Sequence, residues 1–247
     1  MIAGGGLAAA NGYGQRKPTP SDLRNPEGGQ MKKPLIVGIL AACVLGLAIG
    51  LPAQQMMQGG KGEMMSPTKS MVELRTAMRK LWEDHVTYTR NYIISALAGL
   101  EDAGAVAKRL LANQDDLGNA IVPYYGADAG KKLAALLRDH ILIATEVVKA
   151  AKMGNAMELA TAQNKWTGNA DEIAAFLSGA NPHWPKAALT DMLHKHLAYT
   201  TDEVVSRLKK DWAADVDAYD KGHVHMLMFA DMLTEGVIKQ FPAKFKN

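Results

Sequence analysis

The chain has 247 residues, 48% hydrophobic and 21% charged, with a formal net charge of +3, which supplies a core for one or two domains and an ordinary polar surface. The charge is concentrated at the start: residues 1–53 hold five basic and two acidic side chains, leaving 23 of each sign in residues 54–247. A neutral body excludes a phosphate-neutralising surface, so nucleic acid is not an expected partner.

Residues 1–30 are rich in Gly and Pro, lack periodicity, and are expected to be a non-native extension or a disordered tail. The codons of Glu27-Gly28-Gly29-Gln30 are purine-rich and have room for a ribosome-binding sequence ahead of Met31, which makes Met31 the candidate start. N-terminal sequencing of the precursor that found Met1 would refute this. Residues 31–53 then read as a signal peptide. Lys32-Lys33 is the basic start, Leu35–Gly50 the apolar run, and Leu51-Pro52-Ala53 the small-residue end. The run is shorter than the roughly 20 residues that span a bilayer comfortably. Export to a periplasmic or extracellular space is the expected address. The alternative is a membrane anchor formed by residues 35–50, and membrane is a partner only if that leader is kept. Cys43, the single cysteine, lies in Leu40-Ala41-Ala42-Cys43, which looks like a lipoprotein processing box, although the apolar run continues beyond it. Cleavage after Ala53 leaves a mature chain without thiol or disulfide chemistry. Residues 54–70 form an expected flexible linker with Met56-Met57, Gly59-Gly60 and Met64-Met65. Paired methionines suit Cu(I), and a plain tether suits the same composition.

From Met71 the pattern is helical, and residues 71–247 are expected to form one helical-bundle domain. Met78, Leu81, His85, Tyr88, Tyr92 and Ser95 recur at steps of three and four, as one helix face does. Leu133, Leu136, His140, Ile143, Val147 and Ala150 repeat it, and so do Leu189, Met192, His196, Tyr199 and Glu203. The histidines are 55 and 56 residues apart. A second register aligns Asn113–Ile121, Asn169–Leu177 and His225–Leu233 at 56 residues each time. A period of this length carries two helices, which predicts three αα-hairpins. The breaks agree: Gly99–Gly104 and Met153–Asn155 turn the first two hairpins. Pro123–Gly126 and Ser178–Pro185 join successive hairpins. No alternating strand pattern appears. The expected fold is all-α, a six-helix bundle built from three αα-hairpin repeats of about 56 residues.

LWEDHVTYTRNYIISAL, WTGNADEIAAFLSGANPHWP and the terminal GVIKQFP resemble an uncharacterised family of bacterial all-helical proteins, over essentially all of residues 71–243. Its members often carry enzyme names such as acetylglutamate kinase or glycosyltransferase without visible basis. The resemblance implies an all-α fold and supplies no activity. Most members lack an export leader, so the address rests on this chain's own leader. Residues 71–247 have no Gly-rich loop between a strand and a helix, as a kinase needs, and no strands for a nucleotide-sugar domain.

The candidate site residues are the repeated polar groups. His85, His140 and His196 lie on the core-facing stripes, and Asn113, Asn169 and His225 on the partner helices. If the hairpins share an axis these groups converge, with Asp116 or Glu172 nearby, as a ligand set for Zn, Fe or Cu. The structural alternative is equally concrete. A buried imidazole must be hydrogen-bonded, an Asn on the next helix can bond it, and duplication copies such a bond as readily as a ligand. No cofactor is required by any motif, and a transition metal is the one candidate. Asp84 and Asp139 precede two of the histidines and point about 100° away from them, toward water. Asp220-x-x-His223 is a single, inexact match to a di-iron signature. Met226 and Met228 are expected in the core. Trp166, Trp184 and Trp212 with Tyr124 and Tyr125 are expected near hairpin ends, as staples or as a pocket wall. The function expected from these features is a non-catalytic module that binds a small ligand or a protein partner, or serves structurally. A metal-binding bundle and a membrane-anchored assembly component are the alternatives.

Overall fold

A computed structural model of the protein describes residues 66–246. The expectations for the extension, the leader, Cys43 and the methionine pairs up to Met65 lie outside the described residues. Six helices follow in order: α1 Lys69–Ala98, α2 Ala103–Tyr125, α3 Ala127–Met153, α4 Ala156–Ala180, α5 Lys186–Leu208 and α6 Trp212–Gln240, with a short 3-10 turn at Pro242–Phe245. No strand occurs among the described residues. The protein is all-α.

Local chemistry sets the helix ends. The Thr68 hydroxyl accepts from Met71 N and opens α1. Asn155 and Asp211 accept from Glu158 N and Ala214 N and open α4 and α6. Gly99 and Gly154 close α1 and α3 at φ 72° and 67°, where a Cβ would be strained. The turn between α5 and α6 has no glycine, and Lys210 takes the left-handed conformation at φ 60°.

Two junctions are tighter than the Gly/Pro pattern implies. Pro123 lies inside the last turn of α2, and Gly126 alone links α2 to α3. Helix α4 runs on through Ser178 and Gly179 to Ala180. The reason is packing at this end of the bundle. Tyr124 stacks on Phe245, and Tyr125 meets Phe241 edge-on. The Tyr125 hydroxyl donates to Gln240 Oε1 and accepts from Asn181 Nδ2. These contacts favour the helical course strongly enough to override the local preference of Pro.

Each helix packs on its neighbours in the chain, and α6 returns to α1, so the six close into a ring. Helix α3 also touches α1 and α5. The odd-numbered helices thereby bring their apolar stripes together. Leu133 and Leu189 occupy the core seven residues before their histidines, as does Met78. Ile93, Val148 and Val204 form a separate cluster eight residues after them. On α1 the buried stripe runs through Met78, Trp82, His85, Val86 and Ile93. It is rotated from the expected face, because Trp82 takes the inner place and Tyr88 and Tyr92 stay half-buried at the flank.

Candidate functional site

The three stripe histidines meet. The His196 ring centroid lies 5.6 Å from that of His85 and 6.1 Å from that of His140. All three are buried. An imidazole in such a place must stay neutral and find partners. For His140 both partners are present. The Trp166 indole Nε1 donates to His140 Nε2 (3.1 Å), so the ring proton is on Nδ1, which donates to Asn169 Oδ1 (2.8 Å). His85 Nδ1 pairs with Gln114 Oε1 at 3.3 Å, and the Gln114 amide nitrogen is committed to Leu110 O and Asn113 Oδ1. His196 differs: its Nδ1 is buried and has no protein partner. Burial drives His85 down to about 3, with the neighbouring His140 adding to the shift. Burial likewise takes His140 down to about 4 and His196 well below the usual histidine range.

The partner-helix residues also have defined work. Asn113 Nδ2 donates to Leu81 O (3.0 Å), and Asn169 Nδ2 to Leu136 O (3.1 Å). His225 Nε2 bonds Met192 O (2.8 Å). Each acceptor carbonyl stands four residues before a stripe histidine. Asn113 and Asn169 are buried, and His225 is half-buried. The two carboxylates expected beside the histidines are elsewhere. Asp116 is exposed and 3.9 Å from Arg109, and Glu172 is exposed. Asp139 faces water as expected, whereas Asp84 is half-buried between Lys80 and Arg109. Among the described residues no group of three His, Cys, Asp or Glu is placed to hold a metal ion.

The other motifs disperse. His223 faces Glu83 at 3.5 Å, and Asp220 is exposed. Met226 is buried, but Met228 is 58% exposed, because it falls on the outer face of α6. Trp166 belongs to the histidine layer. Trp184 is buried near Tyr125, and Trp212 lies outside against Arg207.

A second polar centre was not anticipated. Arg90 on α1 donates to Glu203 Oε1 on α5 (2.8 Å) and, with both terminal nitrogens, to Asp215 on α6 (2.7 and 2.9 Å). Arg207 on α5 also donates to Asp215 (2.8 Å). The side chains of Glu203 and Asp215 are only 7% and 2% exposed. Burial raises Glu203 to about 7 against the pull of Arg90. Burial pushes Asp215 the same way, yet the bonds and charges of Arg90 and Arg207 outweigh it and hold this carboxyl below its ordinary value. One sequence signal existed. Glu203 lies on the stripe of His196, and a carboxylate on a core-facing stripe demands a buried cation.

Three open surface recesses, of about 350, 360 and 430 Å³, lie beside Met157, Met71 and Tyr199. They are in the size class of small-ligand sites. Comparison with family models, with curated proteins and with solved structures finds no match to this chain.

Proposed function

We propose that the domain is a non-catalytic module for binding a ligand or partner, or for structure, in an exported protein, and that it arose by tripling one αα-hairpin of about 56 residues. Three observations support the tripling. Asn113, Asn169 and His225 make the same reach-back bond to the carbonyl four residues before His85, His140 and His196. Ile93, Val148 and Val204 cluster at one offset from those histidines. The six helices close as a ring in chain order, α6 onto α1, as three hairpins set side by side would. Kinship with the helical family whose segments the chain resembles belongs to the same proposal and brings a fold without an activity. Export rests on the leader at residues 31–53.

The observation that carries the functional reading is His140. Its Nδ1 proton is given to Asn169 and its Nε2 lone pair is taken by Trp166, so the ring has nothing left for a metal or a substrate. The histidine layer then acts as a satisfied polar layer that specifies how the hairpins meet. The test is metal analysis of the purified full chain, with thermal melts of His140→Ala. Protein without bound metal, and a variant that melts earlier with or without chelator, is the expected result. One stoichiometric transition metal, lost in His140→Ala, would overturn it.

One observation favours a metal-binding bundle as the second reading. His196 Nδ1 has no partner, and the ring lies against those of His85 and His140. Zn, Fe or Cu would then require His140 to give up Trp166. Stoichiometric metal lost in His196→Ala would favour this reading.

A further inference from the structure

We propose that the seam where α1, α5 and α6 meet is a proton-operated latch, closed while Glu203 carries a proton and opened to water when Glu203 is ionised. The proposal stands on this seam alone and is independent of the binding-module reading.

The geometry is unequal in a telling way. Asp215 accepts three hydrogen bonds from two guanidinium groups, two from Arg90 and one from Arg207. Glu203 accepts one, from Arg90 Nη1, and that same nitrogen also serves Asp215 at 2.7 Å. A buried carboxylate has about four lone-pair sites to satisfy, and the single N–H that Arg90 Nη1 spares for Glu203 is a poor substitute for water. The neutral acid carries no charge and needs only an acceptor for its O–H, so its burial costs far less. The ionised form is therefore the one that gains by opening the seam.

The surroundings supply no rescue. The titratable and charged groups facing Glu203 are Arg90 from α1, Arg207, His196 and Tyr199 from α5, and Asp215, Tyr219 and His223 from α6. Arg90 is committed to Asp215 and lies over the Tyr219 ring. Arg207 bonds Asp215. His196 is kept neutral by burial, and His223 leans to Glu83. Asp215 adds a like charge that penalises ionised Glu203 further. The hydroxyls of Thr89 and Thr200 donate to their own helices, at His85 O and His196 O.

The seam also has a place from which water can enter. Beside Glu203 is a recess of about 10 Å³, lined by Thr89, His196, Thr200, Tyr219 and others, which is about the room one water needs. Widening it would hydrate the carboxylate and reach the partnerless Nδ1 of His196. Burial already moves Glu203 from 4.5 to about 7, so the latch operates around neutrality.

The test uses the full chain with carbon-13-labelled glutamate, together with amide hydrogen exchange over residues 199–206 at pH 6 and pH 8, corrected for intrinsic rates. Glu203 is expected to titrate near neutrality. Protection over residues 199–206 is expected to fall about tenfold from pH 6 to pH 8, the linkage for a group moved this far. In Glu203→Gln the protection is expected to be equal at the two pH values. Titration of Glu203 below about 5.5, equal protection in the wild-type protein, or an undiminished fall in Glu203→Gln would each overturn the latch. If Glu203→Gln does not fold, the two wild-type measurements decide alone.

Discussion

Lowering the pH from 7 to 5 tests whether the three core imidazoles are held neutral. Their folded values lie below the unfolded value of 6.5, at about 3 for His85 and about 4 for His140, with His196 well below 6.5. The stability they contribute is therefore full above 6.5 and is lost as the pH falls from there toward the folded values. At pH 5 the unfolded chain gains protons that the fold refuses, which costs about 2 kcal/mol for each of His85 and His140, about 4 kcal/mol together, and His196 adds to the loss in the same direction. Glu203 acts in the opposite sense. Its folded value of about 7 lies above the ordinary 4.5, so its contribution is full below 4.5 and is lost as the pH rises through 7. Going from pH 7 to pH 5 restores about 2 kcal/mol through this group. The net loss from His85, His140 and Glu203 is about 2 kcal/mol, to which His196 adds, so a urea midpoint moves down by about 1 M or more for a slope of about 2 kcal/mol per M. Removing the offset with Glu203→Gln should raise the loss by about 2 kcal/mol. Urea melts of both proteins at the two pH values make the measurement. Equal midpoints at pH 7 and pH 5, or a loss in Glu203→Gln no larger than in the wild-type protein, would refute the reasoning.

Other substitutions probe the packing and the polar layers one at a time. A Cβ at Gly236 would overlap the Trp184 indole, so Gly236→Ala should cost about 2 kcal/mol by thermal melt. Asn169→Ala strands His140 Nδ1–H and removes the second bond to Leu136 O, and should cost about 2 kcal/mol in urea at pH 7. Asp215→Asn leaves Arg90 and Arg207 without their shared anion, with an expected loss of about 3 kcal/mol in the same assay. Lys210→Gly relieves a left-handed residue in the third turn and should stabilise by about 0.5–1 kcal/mol, read as a higher melting temperature.

Much of the histidine layer was readable in advance because its members lie on stripes. His85, His140 and His196 sit at matching points of three periodic segments, and any arrangement that buries those stripes together brings the rings near one another. Asn113, Asn169 and His225 were readable for the same reason. Asp116 and Glu172 were not placed correctly. Each stands three residues beyond its Asn, which leaves its direction to the tilt of the partner helix, and both turned outward. Gln114 was missed because the positions aligned with it, Ala170 and Met226, are apolar, yet it bonds His85 in the way that Asn169 bonds His140. The junction at Pro123 was misjudged because a proline weighs against helix locally, whereas the aromatic contacts of Tyr124 and Tyr125 come from residues more than a hundred positions away.

Periodicity alone determined that this chain forms helices, in what order, and which stripes of α3 and α5 turn inward, because apolar side chains at steps of three and four have one way to leave water together. The tertiary structure decided which polar groups share that interior. Arg90 is 113 residues from Glu203 and 125 from Asp215, and no local rule links positions so far apart. Only the closing of α6 onto α1 brings them into contact. Their state of ionisation follows from that closure, since charge burial is a property of what surrounds a group in space rather than of its neighbours in the chain.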